Sequence, residues 1–124
     1  MRIGPTGNPP PATECMTCKR YEIRWVELDP ARGSELRKTR PAVIVSLDVL
    51  NRVLETVVVC PLTSQLHPDW RTRLQVKVKG KPSEIAVDQI RTVSKSRLGA
   101  KLGALSDRDT AALRRLLGEM YADS

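Results

Sequence analysis

A polar segment between two apolar, strand-like runs carries the residue types in this sequence that could do chemistry. Residues 29 to 40 combine carboxylate, hydroxyl and guanidinium groups, and the members that could hold or cut a substrate are Gly33, Ser34, Glu35, Arg37, Lys38 and Arg40. A connection between two rigid strands is where such groups can converge on a ligand. Because guanidinium groups stabilise phosphate charge and carboxylates move protons, the segment has the ingredients for cleaving a phosphodiester.

RNA is a phosphodiester that can be cut without a metal ion, because it carries its own nucleophile, the 2′-hydroxyl. The protein must then supply an acceptor for the hydroxyl proton, a donor for the departing 5′-oxygen and positive charge for the phosphorane. Arg40 is the best candidate for the positive charge, since its planar fork matches two phosphate oxygens. Thr63, at the end of a later apolar run, could hydrogen-bond the phosphate or the attacking oxygen.

Residue types leave two candidates for the proton acceptor. Glu35 is one, either as a base or as a side chain that orients Arg40. His67 is the sole histidine, and although it could act near neutral pH, a lone histidine after a strand is more often a surface residue. The catalytic candidates also have ordinary explanations, because Arg40 could pair with Glu35 on the surface and Thr63 could cap a turn.

Four short motifs occur in one order along the chain. They are G-S-E at residues 33–35, R-P at 40–41, P-L-T-S-Q at 61–65 and D-Q-I-R-T at 88–92. Each alone is weak, and G-S by itself is an ordinary turn dipeptide. Together they closely resemble the MazF/PemK toxins, small bacterial endoribonucleases of toxin-antitoxin systems, over roughly residues 21 to 121.

The resemblance implies a sequence-specific endoribonuclease that cuts single-stranded mRNA by attack of the 2′-hydroxyl, without a metal or other cofactor. Arg40 and Thr63 match the family's principal catalytic pair, and Glu35 matches its G-S-E carboxylate. The resemblance also implies a homodimer and a MazE-like antitoxin whose acidic, disordered tail folds into the same basic groove. Leu36 departs from the family, which often has glutamine there, so the base preference stays open.

Two functions without catalysis remain as alternatives. The same fold occurs in CcdB-like toxins, which bind DNA gyrase through residues of the C-terminal helix, and a barrel that only binds RNA is the other. Met120 and Tyr121 fall on the apolar stripe of the last predicted helix, which indicates core packing more than a presented binding end.

The charge of the chain favours a polyanionic partner. The net charge is +7, from 21 basic and 14 acidic residues, and charge alone does not separate nucleic acid from other polyanions. The residues outside the polar segment that we expect to contact RNA are Ser64, Gln65, Arg71, Arg73, Lys77, Gln89, Arg91 and Arg97. A solvated charged face is the ordinary alternative for these cations. Trp70 could stack on an unpaired base, whereas Trp25 is expected in the core.

The pattern of apolar residues predicts a mainly β fold with helices (α+β), a small, strongly curved antiparallel sheet or barrel with a C-terminal helix. The resemblance implies that this is the SH3-like small antiparallel barrel of the toxin family. Alternating or continuous apolar runs predict about five strands, at residues 21–28, 41–47, 56–62, 74–78 and from 85 through 93. A short helix is predicted over residues 48–54, with Asp48 as its cap and Val49, Leu50 and Val53 buried. A second helix is predicted from Ser106, its N-cap, to Tyr121.

The N-terminal residues 1–18 are rich in proline and glycine and are predicted to be a disordered extension with exposed thiols, ahead of a single toxin domain at residues 19–124. With no apolar segment behind Arg2 and no apolar run near the ~20 residues that span a bilayer, we expect a cytoplasmic protein.

The cysteines do not predict a metal site. Cys15 and Cys18 form a C-x-x-C pair, but only Cys60 and His67 could complete a tetrahedral zinc site. Cys60 lies in an apolar run and is predicted to be a buried core thiol, so these ligands should not converge.

Overall fold

The apolar runs of the sequence form the strands of one antiparallel sheet. The computed structural model describes residues 18–29 and 38–122. The strands are β1 (Glu22–Asp29), β2 (Lys38–Ile44), β3 (Thr56–Thr63), β4 (Arg73–Val78), β5 (Lys81–Ala86), β6 (Arg91–Ser94) and β7 (Leu98–Ala104). The helices are α1 (Asp48–Val53) and α2 (Asp107–Tyr121), with 3-10 turns at Val87–Gln89 and Lys95–Arg97. None of the helices in the described residues is long and apolar enough to cross a membrane.

Strand β3 is the strand around which the sheet is organised. The sheet has seven strands in the order β4-β5-β3-β2-β1-β7, with β6 also paired to β3. The β6 pairing reaches Val59, opposite Arg91, and the β5 pairing begins at Leu62, opposite Ile85. Pro61 lies between these two pairings, and proline, which has no N–H to donate, is tolerated where a ladder is interrupted. The change of partner opens the sheet beside Pro61.

Two apolar clusters pack on the two faces of the sheet. The inner cluster contains Cys18, Val26, Leu28, Ala42, Ile44, Val57, Val59 and Val93. The other cluster lies beneath α2 and is built on Ile23, Val43, Val45, Cys60, Leu62, Val76, Ile85, Val87 and Leu113. The predicted stripe of α2 is confirmed for Leu113, which is fully buried, and for Leu116, Leu117 and Met120, which pack against this cluster. Tyr121, the last residue of the stripe, is 54% exposed. The predicted burial of Cys60 is also confirmed, and desolvation raises the pKa of its thiol to about 12.

The second half of the sheet differs from the prediction. The 3-10 turn at Val87–Gln89 divides what was predicted as one strand into β5 and β6. Strand β7 was not predicted at all, because its sequence, LGAKLGA, contains two glycines and no alternation of apolar residues. The predicted fold class stands, with seven strands where about five were expected.

Helix α1 does not bury the stripe predicted for it. Val49, Leu50 and Val53 are exposed, and Asn51 is the buried residue of the helix. The Asn51 side chain bonds both the carbonyl and the hydroxyl of Ser46, at 3.0 and 2.6 Å. These hydrogen bonds fix a helix too short to be oriented by its apolar face alone.

Three further expectations of side-chain position were wrong. Asp48 is the first residue of α1 and not its cap, since Leu47 occupies that position. Trp25 is 39% exposed, although it lies on the same face of β1 as Ile23, which is buried. Cys18 is not in an exposed tail but is buried in the same cluster.

Candidate active site

A cleft of about 360 Å³ opens where β3 changes partner. Its lining residues come from distant parts of the sequence and are Leu28, Arg40, Pro61, Leu62, Thr63, Gln65, His67, Arg73, Ala86, Gln89 and Arg91. Six of the residues predicted to bind or cut RNA are in this set, namely Arg40, Thr63, Gln65, Arg73, Gln89 and Arg91. The cleft is therefore the candidate active site.

The antiparallel register of β2 and β3 brings the predicted catalytic pair together. Ala42 lies opposite Pro61 in this register. Continued by two residues, the same register places Arg40 beside Thr63, and both residues line the cleft. Residues opposite each other in an antiparallel pair project to the same face. The guanidinium and the hydroxyl therefore reach the cleft from two adjacent strands.

The hydroxyl of Thr63 both caps a turn and remains able to donate. The Gln65 backbone N–H donates to Thr63 Oγ1 at 3.1 Å. A threonine hydroxyl has one proton and two lone pairs. Since the turn uses a lone pair, the Thr63 O–H can still donate to an oxygen in the cleft.

The cationic groups of the cleft differ in how they are neutralised. Arg40 is exposed, and no carboxylate whose side chain the structure describes lies within ion-pair distance of it. Arg91 is also exposed and lies on β6, opposite Val59. An anion entering the cleft would therefore meet two solvated guanidinium groups, each able to bind phosphate oxygens in a fork.

Arg73, by contrast, is largely buried and pairs with two carboxylates. Its side chain is 6% exposed and donates from Nε to Asp88 at 2.8 Å and from Nη1 to Glu84 at 2.7 Å. The hydrogen bond to Asp88 is the main cause that raises the pKa of Arg73 above its usual value. Burial opposes ionisation of Asp88, but the hydrogen bonds from Arg73 and Thr72 lower the pKa of its carboxyl. Arg73 is thus a neutralised structural group at the edge of the cleft.

Glu84 is a buried charged residue beside the cleft that the sequence analysis missed. Its side chain is fully buried, and it lies opposite Thr63 on β3 and opposite Gln75 on β4. Burial would raise the pKa of this carboxyl, but hydrogen bonds from the backbone N–H of His67 and from the Gln75, Arg73 and His67 side chains lower it to about 2. Glu84 is therefore an ionised carboxylate with four donors. The available signal was an isolated acid inside the apolar end of β5.

His67 lies in the cleft wall, whereas the sequence favoured a surface position. Its Nδ1 is 3.1 Å from Glu84 Oε2. The ring stacks on Trp70 with 3.9 Å between centroids, and the Arg73 guanidinium lies 4.6 Å over the Trp70 ring. Trp70, which the sequence suggested could stack on an RNA base, therefore already stacks on His67 and contacts Arg73.

Four of the predicted RNA contacts that the structure describes do not line the cleft. Ser64, Arg71, Lys77 and Arg97 lie outside the set of residues that forms it. Arg97 Nη1 instead contacts the Glu27 carbonyl at 3.5 Å. Gly33, Ser34, Glu35, Leu36 and Arg37 lie outside the described residues, as does Cys15, and Lys38 begins β2. Their predicted roles stay predictions.

Metal ligands are not clustered in the described part of the chain, where no group of three or more His, Cys, Asp or Glu side chains could hold an ion. Cys18 and Cys60 belong to different clusters of the core. The His67 side chain is hydrogen-bonded to Glu84 in the cleft.

Comparison with known proteins decides the family. Residues 19–121 match the family described as PemK-like, MazF-like toxin of type II toxin-antitoxin system. The chain belongs to this family. Endoribonuclease EndoA of Bacillus subtilis is 32% identical over 97 residues, which cover 74% of the chain and 84% of that protein. Its name and the family confirm the expected toxin and endoribonuclease function.

Solved structures support the MazF-like fold. Mycobacterium tuberculosis toxin MazF-mt6 superposes with a TM-score of 0.67 at 26% identity, covering 79% of this chain and 93% of that one. A chain from the MazE-MazF crystal structure of Deinococcus radiodurans (Form-III) has a TM-score of 0.73 at 22% identity, covering 86% and 98%. The second likeness, at this identity, shows the fold alone. Both confirm the predicted small antiparallel barrel with a C-terminal helix.

Proposed function

We propose that this MazF-like toxin cuts single-stranded RNA at a short sequence motif by attack of the 2′-hydroxyl on the adjacent phosphorus, without a metal ion. The observation that carries the proposal is the convergence of Arg40 from β2 and Thr63 from β3 in one cleft. These residue types suit the reaction, since the nucleophile belongs to the substrate and the protein has to align it and stabilise charge.

The alignment of the phosphate and the stabilisation of its charge each have a group in the cleft that suits them. Arg40, exposed and beside Thr63, binds two non-bridging oxygens of the scissile phosphate, and its positive charge stabilises the phosphorane. The Thr63 O–H donates to the same phosphate. Arg91 holds the neighbouring phosphate of the backbone. The 2′-oxygen bonds to phosphorus as the bond from phosphorus to the 5′-oxygen breaks, leaving a 2′,3′-cyclic phosphate and a 5′-hydroxyl.

Sequence preference comes from the amide side chains at the cleft. Gln65 and Gln89 are exposed and line it. An amide both donates and accepts, so it can read the edge of an unstacked base, the form in which single-stranded RNA is recognised. Trp70 and His67 already stack on each other. Hydrogen bonding therefore contributes more to the choice of base than aromatic stacking does.

A homodimer, a MazE-like antitoxin and a cytoplasmic location complete the proposal. One structural relative is an endoribonuclease in complex with its cognate antitoxin, and others are MazE-MazF structures. An acidic antitoxin segment suits the exposed guanidinium groups of Arg40 and Arg91, which it would block by occupying the place of RNA. mRNA, the expected substrate, is a cytoplasmic molecule.

The test is cleavage of a defined single-stranded RNA by purified protein in EDTA. We expect discrete products, and Arg40→Ala to lower kcat by about 10²- to 10³-fold, as for loss of one charge-stabilising donor. Thr63→Ala should also lower kcat. Arg114→Ala, which removes an exposed cation from α2, is the matched control and should cut at the wild-type rate.

A second substrate tests the nucleophile. RNA with a single 2′-deoxynucleotide on the 5′ side of the cleavage site should resist cutting at that bond. Intact RNA at high protein concentration would falsify the proposal. Toxicity in cells that survives both Arg40→Ala and Thr63→Ala would point instead to a protein target, as for CcdB-like toxins. CcdB-like toxins bind through the C-terminal helix. In this chain Tyr121, at the end of α2, donates to the Val87 carbonyl at 3.2 Å, and this hydrogen bond holds the helix against the barrel.

A further inference from the structure

Of the described residues that line the cleft, one has a side chain suited to accept a proton from a substrate hydroxyl. Guanidinium groups cannot act as bases at physiological pH, and an amide or a threonine hydroxyl is a weak proton acceptor. Among the described residues that line the cleft, none is aspartate or glutamate, and His67 is the sole imidazole. An acceptor for the 2′-hydroxyl proton is the requirement that Arg40 and Thr63 leave unmet.

Glu84 sets the tautomer of His67. An ionised carboxylate can only accept hydrogen bonds, so His67 Nδ1 must donate the proton in the 3.1 Å contact with Oε2. Arg73 Nη1 is also 3.4 Å from Nδ1, but it donates to Glu84 at the shorter distance of 2.7 Å. With the proton on Nδ1, the neutral ring carries its lone pair on Nε2, the nitrogen that a general base uses.

The ring and its main chain are held in place. The backbone N–H of His67 donates to the other oxygen of the same carboxylate. Trp70 covers one face of the ring at an interplanar angle of 21°. A base whose orientation is fixed before the substrate arrives loses little conformational freedom at the moment of reaction.

The sheet register places this base next to the proposed catalytic pair. Glu84, which holds the ring, lies directly opposite Thr63 on the neighbouring strand. Thr63 in turn lies beside Arg40, and both line the cleft with His67. The three groups therefore border one volume in which a scissile phosphate can sit.

We propose that His67 is the general base of the reaction, with Glu84 as its positioning residue, an inference that rests on the proposed function. His67 Nε2 takes the proton from the 2′-hydroxyl as the 2′-oxygen bonds to phosphorus. The electrons of the breaking bond go to the 5′-oxygen, which takes a proton from water. The imidazolium then returns its proton to solvent.

The pH profile is the first test. The charged groups that face His67 are Glu84 from β5 and Arg73 from β4, and Arg40 and Arg91 share the cleft. A general base acts only in its unprotonated form, so kcat/KM of the wild type should fall as the pH is lowered. His67→Gln, whose amide can still donate to Glu84, should cut about 10²- to 10⁴-fold more slowly near neutral pH and lack this fall.

A substrate with sulfur in place of the bridging 5′-oxygen separates a base from an acid. Sulfur leaves without protonation, so losing a general acid is compensated on this RNA and losing a general base is not. We expect His67→Gln to be slow on both RNAs. A rate near that of wild type on the sulfur-containing RNA, or on ordinary RNA, overturns the proposal.

Controls separate this inference from the proposed function. Leu66→Ala, at an exposed neighbour of His67, should cut at the wild-type rate, and an equal loss there would show that the loop and not the imidazole matters. Arg40→Ala and Thr63→Ala are measured alongside. If both are inactive while His67→Gln is fully active, only the role of His67 fails. If both are fully active, the proposed site itself fails.

Discussion

Two buried glutamates, on strands separated by β2 and β3, show how one pair of residue types serves two purposes. Glu22 on β1 pairs with Arg24 at 3.3 Å, and Glu84 on β5 pairs with Arg73 at 2.7 Å. The Glu22 side chain is 9% exposed and that of Glu84 is fully buried. Both ion pairs satisfy a carboxylate within the sheet. The two glutamates differ in the other charged or titratable side chain that each one contacts.

Besides Arg24, Glu22 forms an ion pair with Lys101, at 3.4 Å, and the Lys101 side chain is 53% exposed. Arg24 completes this cluster with the Gly99 carbonyl at 3.0 Å and Cys18 Sγ at 4.0 Å. The cluster closes the contact between β1 and β7. Besides Arg73, Glu84 contacts the imidazole ring of His67 in the cleft wall. The same ion pair becomes part of an active site because the carboxylate also holds a group that can move a proton.

Replacing each glutamate should give the largest difference in stability between the two clusters. We expect Glu84→Ala to cost about 3 to 5 kcal/mol of unfolding free energy, because it leaves Arg73 buried without this partner. Glu22→Ala should cost less, about 1 to 3 kcal/mol, since Arg24 keeps the Gly99 carbonyl and the cluster reaches solvent through Lys101. Urea unfolding at pH 7 measures both. Glu84→Gln serves if the alanine variant does not fold, and an equal or larger cost at Glu22 contradicts the ranking.

The contrast also explains how much of the molecule could be predicted. Strands β1 to β4 follow from alternating or continuous apolar runs, and helix α2 follows from apolar periodicity. The candidates Arg40 and Thr63 follow from motifs in a fixed order. Glu84 and His67 are 17 residues apart and meet only through the β3–β5 register, which a sequence does not encode locally. The predicted buried face of helix α1 was wrong for a related reason. The helix is oriented by the hydrogen bonds of Asn51 and not by its apolar residues.

Acid should weaken the Glu84 cluster by an amount that a variant can isolate. The pKa of Glu84 falls from 4.5 to about 2 on folding. A carboxyl whose pKa is lower in the folded state stabilises it fully above about pH 4.5, and this contribution is lost as the pH falls toward 2. The shift corresponds to roughly 3 kcal/mol. The difference in unfolding free energy between wild type and Glu84→Gln should therefore shrink across this interval.

Glu22→Gln is the control for the acid experiment. It retains Glu84, so its stability should still fall relative to Glu84→Gln as the pH drops from 4.5 to 2. A constant difference between wild type and Glu84→Gln over this interval would mean that Glu84 is not an ionised, hydrogen-bonded carboxylate in the folded protein.

The smallest effects should come from the partners that complete each cluster. Gln75 donates to Glu84 at 2.7 Å, and Gln75→Ala should cost about 1 to 2 kcal/mol, because hydrogen bonds to a charged group are stronger than neutral ones. Lys101→Ala should cost under about 1 kcal/mol, as for other exposed ion pairs, and the cost should fall in high salt. Thermal unfolding in low and high salt measures both. A larger loss of stability for Lys101→Ala than for Gln75→Ala would contradict this ranking. It would mean that the Glu22 cluster is held more strongly than the Glu84 cluster, so burial of the carboxylate would not be what distinguishes them.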